Sequence, residues 1–157
     1  MTLDINDMIA KMEQARSQLN SALDKVAPQV EIYPTWKLKQ LLDHIAGWDE
    51  LMIAAYQAHA KGEPPVSIKH GIDQFNAESV SGRKALSLSQ SRQEYDAARQ
   101  KVIQIMREMP ADKLTEWLPA PWGGMCTVAT VVKIFVSHEL EHARHLEENL
   151  KSSIGSA

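Results

Sequence analysis

Two histidines four residues apart, in the run His138-Glu-Leu-Glu-His142, are the side chains of this sequence best suited to chemistry. On one helix their Cβ atoms lie about 5 to 6 Å apart, a span that a metal ion with bonds of about 2 Å to each ring nitrogen can bridge. A third histidine, His44, falls on a stripe with Trp48, Leu51 and Ala55, where a helix bundle expects an apolar residue. Imidazoles from two facing helices would make a three-ligand site with one position left open. The competing reading is structural: a core histidine is usually just hydrogen-bonded, and the glutamates at 139, 141, 147 and 148 suit a helix end that has left the core.

The same run fits H-E-x-x-H, in which two histidines bind zinc and the glutamate activates water. The match is poor beyond those five residues, because the extended form of that motif needs Gly where His145 stands and His where Glu148 stands. With His138 at zero on a wheel of 100° per residue, Val131, Ile134, Phe135, His142 and His145 fall within roughly 60° of it, and Glu139 lies near 100°, off that face. The apolar stripe therefore turns into histidine. His145 makes 142 with 145 a rival ligand pair.

Helices must position these residues, and helical spacing dominates the chain. Ile5, Met8, Ile9, Met12, Ala15, Leu19, Leu23 and Val26 predict a first helix over about 4–26. After a connector bracketed by Pro28 and Pro34, Leu38, Leu41, Leu42, Ile45, Trp48, Leu51, Met52, Ala55 and Tyr56 predict a second over about 37–61. A short helix over 72–80 interrupts a long connection whose length suits a crossover. Ser87 and Gln90 form a capping-box signature for a third long helix that ends at Pro110. The turn chemistry of residues 119–124 precedes Thr127, a suitable cap for a last helix to about Leu150. Nothing reads as a strand. The fold class expected is all-α, a four-helix bundle with a long crossover connection containing a short helix, in a single domain over 1–157.

Composition narrows the partners. A chain of 157 residues, 44% hydrophobic, suits one buried core, and 24% charged residues with a net charge of -3 give no basic footprint for nucleic acid. The single cysteine, Cys126, cannot close an internal disulfide, residues 1–10 carry acids where a signal peptide carries basic residues, and no apolar run approaches the 20 or so residues of a membrane span. The expectation is a cytoplasmic protein with a small-molecule substrate, no nucleic-acid partner and no membrane segment.

Three segments carry a resemblance: residues 36–48 (Trp-Lys-Leu-Lys-Gln-Leu-Leu-Asp-His-Ile-Ala-Gly-Trp), residues 72–76 (Ile-Asp-Gln-Phe-Asn) and the HxxxH of the last helix. Together, from about Trp36 to Leu146, they resemble the ClbS/DfsB branch of the DinB superfamily. The resemblance implies a four-helix bundle, often a homodimer, with a metal bound by one histidine of the second helix and two of the last, which map onto His44, His138 and His142. It also implies relatives that are thiol-dependent transferases or isomerases, and others that protect cells from a reactive metabolite. Lys37 departs from the Ser or Thr usual after the tryptophan, so the helix cap must fall to Thr35 or be lost.

The other candidates have plain structural readings. Trp36, Trp48, Trp117, Trp122 and Tyr56 suit core packing, with Trp122 in its loop placed to roof a cavity. Asp73 and Asn76 suit capping and surface roles, Cys126 an inert buried thiol rather than a thiolate at a helix start, and Glu141 a surface charge rather than a proton acceptor. Three functions fit. One is a metal-dependent detoxifying enzyme whose divalent ion, zinc or nickel, activates water or a low-molecular-weight thiol toward an electrophile. Another is a metal-free binding or resistance protein that sequesters or hydrolyses a toxic metabolite. The last is a non-enzymatic dimeric interaction module.

Overall fold

The computed structural model describes residues 4–155, whose regular structure is helical apart from one pair of two-residue strands. The chain divides into two compact units, one made of the described residues up to Leu38 with those from Ala129 onward, the other of Lys39–Val128.

In the first unit, α1 (Ile5–Leu23) starts at Asp4, whose carboxylate accepts the Asn6 backbone N–H and satisfies an otherwise orphaned donor. The helix closes three residues before the spacing predicts. Beyond Leu23 the bonds tighten to i→i+3, Lys25 N–H to Ala22 and Val26 N–H to Leu23, so the apolar pattern outlasts the helix. α6 (Val128–Gly155) closes the chain. Within the apolar face of α1 lies Arg16, buried with Met12, Ala15 and Leu19, and it donates through Nε (3.0 Å) and a terminal nitrogen (2.7 Å) to Oε1 of Glu139 on α6. Both members are almost fully buried, so each charge depends on the other for the solvation it has lost.

The connector from α1 to α2 (Leu38–Lys61) ends in the turn Tyr33-Pro34-Thr35-Trp36. Trp36 N–H donates to the Tyr33 carbonyl (2.8 Å), Pro34 presets the second position, and Thr35 takes φ +69 at the third, as a type II turn requires. Thr35 is therefore committed to the turn, its N–H bonded to the Glu31 carboxylate, and Lys37 holds the position before Leu38. Asn149 of α6 donates to the Ile32 carbonyl and ties the connector down.

The second unit holds most of α2, then α3 (Ile72–Ser81), α4 (Leu88–Glu108), the unforeseen short α5 (Ala111–Thr115), and β1 (Leu118–Pro119) paired antiparallel with β2 (Met125–Cys126). The strands are the exception to a chain that reads as helix alone. They are too short for an alternating pattern, and the turn between them, closed by Gly123 and Gly124 at positive φ, is the only signal they leave. Ser87 and Gln90 make the full capping box at the start of α4. Gly47 of α2 lies against Ser79 of α3, so close that a Cβ at residue 47 would overlap both Cβ and Oγ of that serine. Trp48, next in sequence, donates its indole N–H to Asn76 Oδ1 (2.7 Å), and its ring meets Phe75 at 4.7 Å and Trp122 at 5.9 Å between centroids. Asn76 is thus a hydrogen-bond partner of the tryptophan rather than a cap or surface group, and Trp122 packs its loop onto the same ring.

Gly47→Ala should destabilise the chain by about 1–3 kcal/mol in urea unfolding, because the overlap outweighs the better helix propensity of alanine. Adding Ser79→Gly, which removes both overlapped atoms, should recover most of the loss. Arg16→Met alone should cost about 3–5 kcal/mol by leaving the Glu139 charge buried and unpaired, whereas Arg16→Met with Glu139→Leu should cost far less. A double-variant cost equal to the sum of the costs of Arg16→Met and Glu139→Leu made singly would show that the charges are not coupled.

Candidate metal centre

Seven buried residues of α6, Val128, Val131, Val132, Phe135, Glu139, Ala143 and Leu146, define the face it turns inward. On the wheel used above their mean direction lies about 85° from His138, close to Glu139. The inward face is therefore centred on the glutamate and not on the histidines. His138, His142 and His145 form one flank of it, half-buried, while Ile134 on the same flank is 43% exposed. Pairing with Arg16 makes this rotation tolerable, since it allows a carboxylate to occupy the centre of an apolar stripe.

The flank is organised around Tyr33. Its hydroxyl lies 2.7 Å from Nδ1 of His142 and 2.9 Å from Nδ1 of His145, and its ring meets both imidazoles edge-on. Desolvation by burial, with a smaller contribution from the Glu141 carboxylate, pushes the phenol up to about 12, so it keeps its proton at neutral pH. On the opposite side of the His142 ring, Nε2 lies 2.9 Å from Nε2 of His138. Two nitrogens at this separation either share a proton or face one ion, since bonds of about 2 Å at tetrahedral to square angles set donor atoms roughly 3 Å apart.

In the second unit, His44 is buried in α2 between Asp43 and Ile45, on the helix whose Lys39 pairs with Asp43 (2.7 Å) and whose Asp49 pairs with Arg99 of α4 (2.9 Å). The His44 imidazole is a donor of the same type as those of His138 and His142, the type that holds a divalent ion.

Several candidates fall elsewhere. Glu139 is spent in the ion pair with Arg16, away from the histidine flank, so the H-E-x-x-H run lacks the free glutamate that a zinc protease uses on water. The Glu141 side chain is exposed and reaches no nearer than 4.0 Å to His145 Nε2. Cys126 is buried, and burial pushes its thiol above the ordinary value, which leaves it an inert thiol. His59 bonds the Lys113 carbonyl (2.8 Å) and secures α5, His70 and Asp73 are exposed, and Trp117 is 63% exposed rather than core. Tyr56 is fully buried near Asp49, Arg99 and Cys126, and burial raises its hydroxyl far above the ordinary value. Sequence reasoning missed Tyr33 and Arg16. Arg16, four residues after Met12 and three before Leu19, was visible as a charge on an apolar stripe; Tyr33, in a non-periodic connector, left only its Tyr-Pro turn as a signal.

Among the described residues no helix is long and apolar enough to cross a membrane. No curated protein matches the sequence. Solved structures do match in fold. A mycothiol-dependent maleylpyruvate isomerase aligns with a TM-score of 0.77 at 14% identity over 92% of this chain, which spans only 61% of the isomerase. The colibactin self-resistance protein ClbS, solved in complex with double-stranded DNA, aligns with a TM-score of 0.73 at 15% identity over 92% of this chain and 93% of its own. YfiT from Bacillus subtilis, described as a probable metal-dependent hydrolase with an unusual four-helix bundle topology, aligns with a TM-score of 0.72 at 15% identity over 96% of this chain and 87% of its own. These likenesses show an all-α fold of the four-helix bundle type. Residues 10–146 match the sequence profile of the same group, and the chain belongs to the DinB superfamily.

Proposed function

We propose that this chain is a metal-dependent enzyme acting on small electrophilic molecules, with His44, His138 and His142 holding a divalent ion, zinc or nickel. The observation that carries this reading is the pair of Nε2 atoms that His138 and His142 bring to 2.9 Å of each other on one flank of α6. A second support is the Tyr33 hydroxyl at the far nitrogen of His142, the arrangement by which metal-binding histidines are commonly oriented. Such an ion, when bound, supplies Lewis acidity that makes water or a low-molecular-weight thiol nucleophilic at neutral pH. The chain's own part is to hold three neutral imidazoles, to fix the His142 ring through Tyr33, and to keep the Glu139 carboxylate out of the site by pairing it with Arg16. The names of two structural relatives, one thiol-dependent and one a probable metal-dependent hydrolase, agree with this class of chemistry. A net charge of -3 favours a small molecule over DNA as the partner.

The second reading is a metal-free resistance protein that sequesters or hydrolyses a toxic metabolite. It is favoured by the nearly end-to-end match with ClbS, against the partial match with the isomerase.

Elemental analysis of the purified chain, before and after zinc or nickel supplementation, separates the two. The expected result is about one metal per chain, and no metal after supplementation would overturn the proposal. With free zinc at about a hundred times its dissociation constant, binding should add about 2.7 kcal/mol and raise the melting temperature by roughly 5–10 °C. A chelator should reverse that rise. His138→Ala should abolish the zinc effect, while His145→Ala should keep most of it. The opposite outcome for those two variants would make 142 with 145 the ligand pair.

A further inference from the structure

His145 shares a helix flank with the two histidines of the metal centre, yet its contacts differ from theirs. Its Nδ1 faces the Tyr33 hydroxyl at 2.9 Å, the same hydroxyl that lies 2.7 Å from Nδ1 of His142. The three polar atoms form a short chain, His142 Nδ1 to Tyr33 Oη to His145 Nδ1, that runs away from the Nε2 atom that His142 turns toward His138. A protonated phenol has one hydrogen to donate, so in this chain it can serve only one imidazole as donor and must accept from the other. The direction is not set at the outer end. There Arg144, which can only donate, approaches His145 Nε2 at 3.2 Å in an exposed contact that contributes little, and the Glu141 carboxylate, at 4.0 Å, is beyond hydrogen-bond reach.

It is set at the inner end, by the requirement that His142 present a lone pair at Nε2. His142 then carries its proton at Nδ1 and donates it to Tyr33 Oη, and the phenol donates its own hydrogen to His145 Nδ1. We infer that Tyr33 is a positioning residue that holds His142 in its Nδ1–H tautomer, and that His145 is the acceptor completing the chain and not a ligand. This inference rests on the metal-binding reading for the direction of the chain. Tyr33 is itself held firmly, by the type II turn with Trp36 and by an edge contact with the Trp36 ring at 6.2 Å. The oxygen is therefore presented at a fixed point, which is what a residue must do to select a tautomer rather than merely to accept one.

The test has one readout that needs no metal. Long-range proton–nitrogen NMR correlations of the imidazoles in the metal-free chain should show His142 as the Nδ1–H tautomer, and Tyr33→Phe, which keeps the ring and its packing, should shift His142 toward Nε2–H. Competition with a chromophoric chelator supplies the second readout. Tyr33→Phe should weaken zinc binding about 10–100-fold, the usual effect of removing a partner behind a ligand, and His145→Ala should weaken it by less. Circular dichroism and melting temperature of the zinc-free variants establish that both remain folded. A His142 found as the Nε2–H tautomer in the parent chain, or a tautomer unchanged in Tyr33→Phe, would overturn the inference. A parent chain that binds no zinc but shows the Tyr33-dependent tautomer would sink the metal reading and leave the positioning role of Tyr33 standing.

Discussion

The ion pair between Arg16 and Glu139 is the interaction on which the histidine flank depends. A helix whose stripe were apolar throughout would turn His138 and His142 wherever the remaining packing allowed. With Glu139 near the centre of the buried face and held by two short bonds to Arg16, α6 has one rotational setting in which that carboxylate is compensated. In that setting the histidines lie at the edge of the core. A ligand imidazole needs this position, sheltered enough to be held by packing and open enough for a small molecule to reach. The pair is also more costly to break than an exposed one, so the setting is enforced by energy and not only by shape.

Within the other unit the same logic is built from different parts. Asp49 and Arg99 form a buried pair between α2 and α4, while Gly47, Trp48 and Asn76 fasten α3 to α2 through a close backbone approach and one indole hydrogen bond. His44 lies about one helical turn before these contacts on α2. The helix that carries it is fixed on two sides, by a charge pair that resists rotation and by a glycine contact that resists sliding. Rigidity of this kind is what a site made from several helices demands, because a shift of about 1 Å in one donor already spoils metal-ligand bonds.

Much of this was legible in the sequence, and what was not had physical causes. The long helices, the short helix in the crossover and the capping box at Ser87 all follow from local spacing and local hydrogen bonds, which a single segment encodes. The histidines stand out in the sequence by type and spacing, but the face of α6 on which they lie is misjudged there. A wheel centred on His138 treats Glu139 as outward, because it cannot know that a buried arginine about 120 residues earlier awaits that carboxylate. Tyr33 escaped for a similar reason, since its role arises from a turn laid against α6 and not from any periodicity. The two-residue strands and α5 are too short to impose a pattern on the chain.

The central claim is that three imidazoles from this chain bind one ion. X-ray absorption at the zinc edge of the zinc-loaded protein tests it most directly, because multiple scattering from imidazole rings counts histidine ligands. The account predicts three imidazole nitrogens at about 2.0 Å with one further light atom completing the shell. A spectrum with fewer than three imidazoles, or with a sulfur ligand at about 2.3 Å, would contradict it.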